Sequence, residues 1–356
     1  MIILKLIFTF VLSYFFIKLI INNALYLGLT DIPNERSSHT KITPRGAGIG
    51  LGFSFFISIL IFEFSLFLNY WLVFLSIFMV FLVGILDDHK DATPRAKFYV
   101  IFLATILLFL DDISIYSLGV FLGLELNLWY FALPFTMFAL AGFTNALNLI
   151  DGLDGLAGTI SLVILSTFLY IGYINNDNLI VTLCLFSMTS ILAFLIFNWN
   201  PADIFMGDSG SLFLGFVISV IAVISLKYIH PISVFYLTAL PILDTIVVMV
   251  RRIRKRISPF SPDKTHIHHI LLGFFSKKVK TTVIFLILLQ CLFSIAGLMM
   301  ANSSNKLTLG SYSFFAFVAF IFIIALFYMV LTGMKRRQKL IEKLSNRKKR
   351  INSKQK

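Results

Sequence analysis

The chain has 356 residues, 58% of them hydrophobic and 13% charged, with a formal net charge of +13. A typical soluble domain is nearer ~45–50% apolar and ~25% charged, so this composition excludes an ordinary soluble enzyme, a disordered chain and a disulfide scaffold. The 40 phenylalanines, and the placement of both cysteines (Cys184 and Cys291) inside apolar runs, point instead to an all-α, polytopic integral membrane protein.

A membrane span needs roughly 20 mostly apolar residues. In chain order the apolar runs fall at 2–21, 46–68, 70–86, 98–110, 128–146, 156–174, 178–197, 211–227, 231–250, 281–300 and 311–333, which predicts a bundle of about 11 transmembrane helices. The first run lacks a small-residue cleavage site and is too long for the core of a signal peptide, so it reads as an anchor. The fourth is short and draws on Lys97 and Asp111 as interfacial anchors. Segments that follow the odd-numbered spans carry 26 of the 30 Lys and Arg residues. The positive-inside rule then places the N-terminus outside and the C-terminus in the cytosol. Residues 335–356 hold 11 of those basic residues against one acid, Glu342. This tail reads as cytosolic and attracted to anionic lipid, with no nucleic acid as partner. The chain thus divides into a membrane domain, 1–334, and a basic cytoplasmic tail, 335–356.

The polar chemistry is concentrated in 86–97, 145–158, 198–211 and 251–269. About two crossings separate each segment from the next, so all four are expected on one face. The first three carry Asp87, Asp88, Asp91, Asp151, Asp154, Asp203 and Asp208, with only Lys90, Arg95 and Lys97 beside them. Carboxylates at the end of an apolar span are costly unless paired or wet, and converging carboxylates repel. A hard divalent cation, Mg²⁺ or in its place Mn²⁺, relieves both costs; solvated loop ends and helix caps are the plainer alternative. Asp151-Gly152 and Asp154-Gly155 repeat three residues apart, and Gly207-Asp208-Ser209-Gly210 follows the seventh run. Such turns let a backbone approach a phosphate closely. The last segment is basic (Arg251, Arg252, Arg254, Lys255, Arg256) and ends in His266-Ile267-His268-His269. Cations facing metal-ready carboxylates suit a diphosphate. A zinc site there would need about four ligands, and no cysteine is near.

At these residues the sequence resembles the polyprenyl-phosphate N-acetylhexosamine-1-phosphate transferases, membrane enzymes that start lipid-linked glycan assembly. The likeness runs through Asp31-Ile-Pro-Asn-Glu-Arg-Ser-Ser-His-Thr-Lys41, Thr43-Pro-Arg-Gly46, Asp87-Asp88 with Asp91, Asn145-Ala-Leu-Asn148-Leu-Ile-Asp151-Gly-Leu-Asp154-Gly155, Phe205-Met-Gly-Asp208-Ser-Gly210 and Ser258-Pro-Phe-Ser-Pro-Asp263 leading into the histidines. The resemblance implies attack of a membrane-embedded polyprenyl phosphate, such as undecaprenyl phosphate, on the β-phosphorus of a UDP-N-acetylhexosamine, releasing UMP. It implies that Asn148 and Asp208 hold Mg²⁺ and that Asp151 and Asp154 line the nucleotide pocket. It implies that Asp87 and Asp88 lie near the lipid phosphate, with Asp88 a proton acceptor or a positioning group. Lys97 and the loop of His266, His268 and His269 would contact phosphate and sugar. It further implies a bacterial inner-membrane enzyme with its site on the cytoplasmic face, with a homodimer as the candidate assembly. The intact His-Ile-His-His resembles the branch that uses UDP-GlcNAc. A branch acting on deoxy sugars such as UDP-N-acetylfucosamine departs in this loop, and the peptidoglycan branch has a continuous histidine motif that Ile267 interrupts here. Two rival readings stand beside it: an intramembrane prenyltransferase, and a transporter in which Glu63 and Asp244 mark a pathway, although Asp244, near Pro241, reads better as a cap on the polar site or a partner within the bundle.

Overall fold

The structure is a computed structural model that describes residues 2–31, 42–90, 92–256, 258, 266–301 and 306–354. Of the motif residues, 32–41, Asp91 and 259–265 lie outside the described residues. In chain order the elements are α1 (Ile2–Asn23), β1 (Thr30–Asp31), β2 (Thr43–Pro44), α2 (Ala47–Phe62), α3 (Phe64–Asn69), α4 (Trp71–Lys90), α5 (Pro94–Leu110), β3 (Ser117–Phe121), β4 (Leu124–Asn127), α6 (Ala132–Ile150), α7 (Leu156–Ile174), α8 (Asn178–Asn198), α9 (Gly207–Ser225), α10 (Pro231–Leu237), α11 (Ala239–Arg254), α12 (Ile267–Phe274), α13 (Val279–Ala301) and α14 (Lys306–Lys354).

All eleven apolar runs lie on helix, and the chain is an all-α polytopic membrane protein. Among the described residues eight helices are long and apolar enough to cross a membrane, and α10 with α11, bent by 86° at Thr238, makes a ninth. The other two runs form shorter helices. α2 has 16 residues and breaks at Glu63; at ~1.5 Å per residue it covers about 24 Å of a ~30 Å hydrocarbon core. α5 has 17 residues and spends its first turn on Arg95 and Lys97. α14 runs without a break from the last apolar run into the basic tail, so residue 334 falls inside one helix.

Local chemistry sets the helix starts. Thr93 caps α5, accepting the Ala96 N–H, with Pro94 at the first helical position. Asp177 caps α8 through the Ile180 N–H at 3.0 Å. The segment between the fourth and fifth runs is not a plain loop. β3 and β4 pair antiparallel there, turning on Leu122 (φ 50°) and Gly123 (φ 82°).

The core is organised around α9, whose residues from Ser209 to Ser225 are all buried. Phe213 packs edge-on against Phe55 of α2 (ring centroids 5.3 Å) and Phe81 of α4 (5.7 Å). Lipid tails are as apolar as leucine, so close packing and interhelical hydrogen bonds hold such a bundle. Gly48 and Gly84 supply the closeness: a Cβ on Gly48 would lie 1.9 Å from the Gly210 nitrogen, and one on Gly84 2.6 Å from the Ser209 Cα. Hydroxyls supply bonds, as from Thr9 to Ser58 at 2.8 Å and between Ser54 and Ser190 at 3.1 Å. Glu63 does not face a pathway; it pairs with Lys5 of α1 at 2.7 Å.

Candidate active site

Four helix ends meet at the N-terminus of α9. Gly207 begins that helix with φ +74°, a left-handed conformation that glycine adopts without strain, and its Cα lies against the Asp88 carboxylate. From the last turn of α4, Asp88 accepts the N–H groups of Asp208 (2.8 Å) and Ser209 (3.0 Å), one on each oxygen. It thereby satisfies donors that a helix start leaves open and sets a negative charge at the positive end of the α9 dipole. Arg45 donates to the Asp88 main-chain carbonyl at 2.8 Å. In this geometry Asp88 is a positioning group for the Gly207–Gly210 turn.

Asp208 projects from that turn into a polar cluster. Lys97, one turn into α5, bridges it to Asp87, with the ammonium 2.5 Å from Asp87 Oδ2 and also bonded to Asp208 Oδ2. Asn148, near the end of α6, donates to Asp208 Oδ1 and to Ser211 Oγ, each at 2.8 Å. Asp151 follows at the α6 C-cap. Burial, then the negative charges of Asp208, Asp88 and Asp154, push its carboxyl up to about 7. The cluster thus gathers more carboxylate than Lys97 balances, and Asp151 registers the excess.

Asp154 does a different job. Its Oδ2 accepts from Asn200 Nδ2 (2.7 Å) and the Ala202 N–H (3.1 Å), while Asn198 joins the Gly155 N–H to the Ile204 carbonyl at 2.8 Å each. The second Asp-Gly repeat therefore clamps the 198–205 loop that delivers Gly207 and Asp208. The reading of the sequence missed this role for Asp154, Asn198 and Asn200. The only signal was two asparagines flanking Trp199 at the end of an apolar run.

The histidines reach the same place from the other side of the bundle. Asp244, fully buried on α11, accepts from the Ile267 N–H at 2.6 Å and pairs with His266 Nδ1 at 2.8 Å, fixing the start of α12. His268 then lies between its neighbours, 5.7 Å from His266 in a near-parallel stack and 4.3 Å from His269. Its ring meets Gly152, where a Cβ would fall 2.3 Å from Nε2. The first Asp-Gly repeat is thus shaped to admit an imidazole. His268 is 1% exposed, and neither ring nitrogen has a hydrogen-bond partner among the described residues. Burial pushes its pKa down to about 3, so the ring is neutral, with one donor and one acceptor to offer.

The structure therefore brings Asp87, Asp88, Lys97, Asn148, Asp151, Asp208 and His268 to one end of the bundle. Among the described residues no three His, Cys, Asp or Glu side chains form a ready metal cage. An apolar cavity of about 470 Å³ runs between α6, α9, α10 and α11, lined by Phe135, Phe143, Val234, Phe235, Ile246 and Met249 among others. It also touches Ala146, two residues before Asn148.

Residues 70–226 match the model of glycosyl transferase family 4. The chain is 34% identical over 307 residues to a probable undecaprenyl-phosphate N-acetylglucosaminyl 1-phosphate transferase of Bacillus subtilis (strain 168), covering 85% of this chain and 83% of the relative. It is 30% identical to the undecaprenyl-phosphate alpha-N-acetylglucosaminyl 1-phosphate transferases of Salmonella typhi, over 77% of this chain and 78% of the relative, and Escherichia coli (strain K12), over 71% and 72%.

Proposed function

Since the chain belongs to the polyprenyl-phosphate N-acetylhexosamine-1-phosphate transferases of glycosyl transferase family 4, we propose that it moves GlcNAc-1-phosphate from UDP-GlcNAc to undecaprenyl phosphate and releases UMP. The product is the lipid-linked sugar diphosphate on which a cell-surface glycan is begun. A terminal oxygen of the lipid phosphate bonds to the β-phosphorus as the bond from that phosphorus to the oxygen shared with the α-phosphate breaks. UMP departs with that oxygen. A phosphate monoester has its second pKa at about 6, so the nucleophile is ionised near neutral pH without a protein base. This agrees with an Asp88 whose two oxygens are already engaged. The larger task is to bring two anions together in line.

The observation that carries the reading is the carboxylate cluster around Lys97, with an apolar groove that reaches Ala146, two residues from Asn148. Such a place suits a molecule with a phosphate head and a hydrocarbon tail. Mg²⁺, or Mn²⁺ in its place, fits the donor set. It takes one or two carboxylates and completes its shell with water and substrate phosphate, so it needs no cage of three protein ligands. Asp208 and Asn148 would hold it, with Asp151 and Asp87 beside them, and when bound it supplies neutralisation of the diphosphate charge. Lys97 holds Asp208 and Asp87 in register and offers the acceptor phosphate a cation. His268, buried and neutral, is placed to hydrogen-bond the donor beside Gly152. Arg251 and Arg252 lie near the end of α11, and their charge supports a reading with this end on the cytosolic side of a bacterial cytoplasmic membrane.

The test is UMP release by purified protein in vesicles holding undecaprenyl phosphate, with a panel of UDP-sugars, with and without Mg²⁺. UMP formed only with UDP-GlcNAc, acceptor and metal together is the expected result. Release with UDP-N-acetylfucosamine in preference, or release indifferent to acceptor, would overturn the assignment.

A further inference from the structure

A helix that breaks inside a bilayer frees backbone groups that no water can reach, and the surrounding protein must satisfy them. The break between α10 and α11 frees two in particular. Pro241 has no N–H, so the Leu237 carbonyl lacks the partner that a continuous helix would give it four residues on. The Leu240 N–H lies in the first turn of α11, where no carbonyl of its own helix stands four residues back. One side chain from another helix serves both orphans. Gln290 of α13 donates Nε2–H to the Leu237 carbonyl at 2.8 Å and accepts the Leu240 N–H on Oε1 at 3.0 Å. Its remaining N–H faces Ser294 Oγ at 3.2 Å. Gln290 is 0% exposed, and its carboxamide supplies donor and acceptor together without bringing in a charge.

The bend matters because the groove is built on it. Val234 and Phe235 line the cavity from α10, Thr238 from the break, and Ile242, Thr245, Ile246 and Met249 from α11, whereas Gln290 is not among the lining residues. The 86° angle between the two helices therefore sets the shape of one wall. We infer that Gln290 is a positioning residue for the acceptor: by pinning the α10–α11 break it shapes the groove that takes the hydrocarbon chain, and so sets affinity for long polyprenyl phosphates. This rests on the functional reading above. From Met249 to Thr238 is about 16 Å along the helix, so the bend is felt by the distal part of a long chain and not by a two-isoprene phosphate.

The experiment compares wild-type protein, Gln290→Leu and Gln290→Glu in UMP release, with undecaprenyl phosphate and with a two-isoprene phosphate as acceptors. Gln290→Leu keeps the bulk and loses both bonds. Its KM for undecaprenyl phosphate rises about ten- to a hundredfold, the scale of a remote misplacement. Its KM for UDP-GlcNAc and its kcat/KM with the short acceptor stay within about twofold of wild type. A neutral glutamic acid restores one donor and one acceptor, whereas an ionised one cannot donate. Gln290→Glu therefore has near-wild-type acceptor KM at about pH 6, and a KM that climbs relative to wild type at higher pH. That second variant carries the test if the leucine protein does not fold. An unchanged acceptor KM in the folded variants, or equal losses with long and short acceptors, would overturn the inference. Wild-type protein that released no UMP with either acceptor would overturn the functional reading itself, and this inference with it.

Discussion

Replacing Asp244 asks how the histidine helix is held against the site. Its carboxylate makes two bonds, to the Ile267 N–H at 2.6 Å and to His266 Nδ1 at 2.8 Å, from a fully buried position. A hydrogen bond to a charged group contributes about 1.5–3 kcal/mol, and losing the acceptor leaves a buried donor unpaired. Asp244→Ala removes both bonds and frees the start of α12. If one bond's worth of order reaches the transition state through His268, kcat/KM falls about ten- to a hundredfold or somewhat more. Asp244→Asn keeps an oxygen for Ile267 and turns its amide toward His266, so it costs less, about tenfold. The assay is UMP release from UDP-GlcNAc with undecaprenyl phosphate, run as a double-mutant cycle with His266→Ala. Residues that act as one unit are not additive, so Asp244→Ala costs less once His266 is gone, with only its bond to the Ile267 N–H left to lose. Full additivity, or an Asp244→Ala protein within about twofold of wild type, would refute the pinning argument.

Asp208→Asn and Asn148→Ala should each lower kcat/KM by about a hundredfold or more, the scale of losing a group aimed at developing charge, with the metal-free protein still folded. Asp154→Ala should act on stability first: it removes two bonds that clamp the 198–205 loop, and thermal unfolding in detergent should begin lower by an amount equivalent to about 1–3 kcal/mol. The pH dependence follows from Asp151. Its carboxyl is raised to about 7 in the folded protein, so the fold favours the protonated form. The stability it contributes is present at low pH and is lost as pH rises toward about 7. Asp151→Asn should therefore raise the melting temperature of the metal-free protein at about pH 8, raise it by less near about pH 5, and lower activity. Gly152→Ala places a methyl where His268 Nε2 lies 2.3 Å away, and should cut kcat/KM by about a hundredfold, with donor KM rising more than acceptor KM.

Much of this site was legible in the sequence because a membrane turns connectivity into geometry. Segments two crossings apart return to one end of a bundle, and Asp87, Asn148, Asp208 and His268 do meet there. Asp244 could be singled out as an ionisable group in an apolar run, and it proves to serve the histidine loop instead of a transport path. The break at Glu63 was less legible, since one apolar run covers both α2 and α3. The β3–β4 hairpin escaped notice because its alternation covers few residues and its turn places a leucine, Leu122, at positive φ. The task of Asp154 was also hidden. An Asp-Gly-x-x-Asp-Gly string gives both carboxylates the same look, yet one faces the charged cluster and the other accepts from Asn200 and Ala202. The service of Gln290 to the α10–α11 break joins residues fifty positions apart, and nothing local in either segment announces it.

The most direct test of the account is to follow the phosphorus. With UDP-GlcNAc labelled in both the β-phosphate and the sugar, protein in vesicles containing undecaprenyl phosphate and Mg²⁺ should deliver both labels to the lipid in equal amounts, with an equal amount of UMP in the water. Sugar label reaching the lipid without the phosphate, with UDP as the released nucleotide, would contradict it.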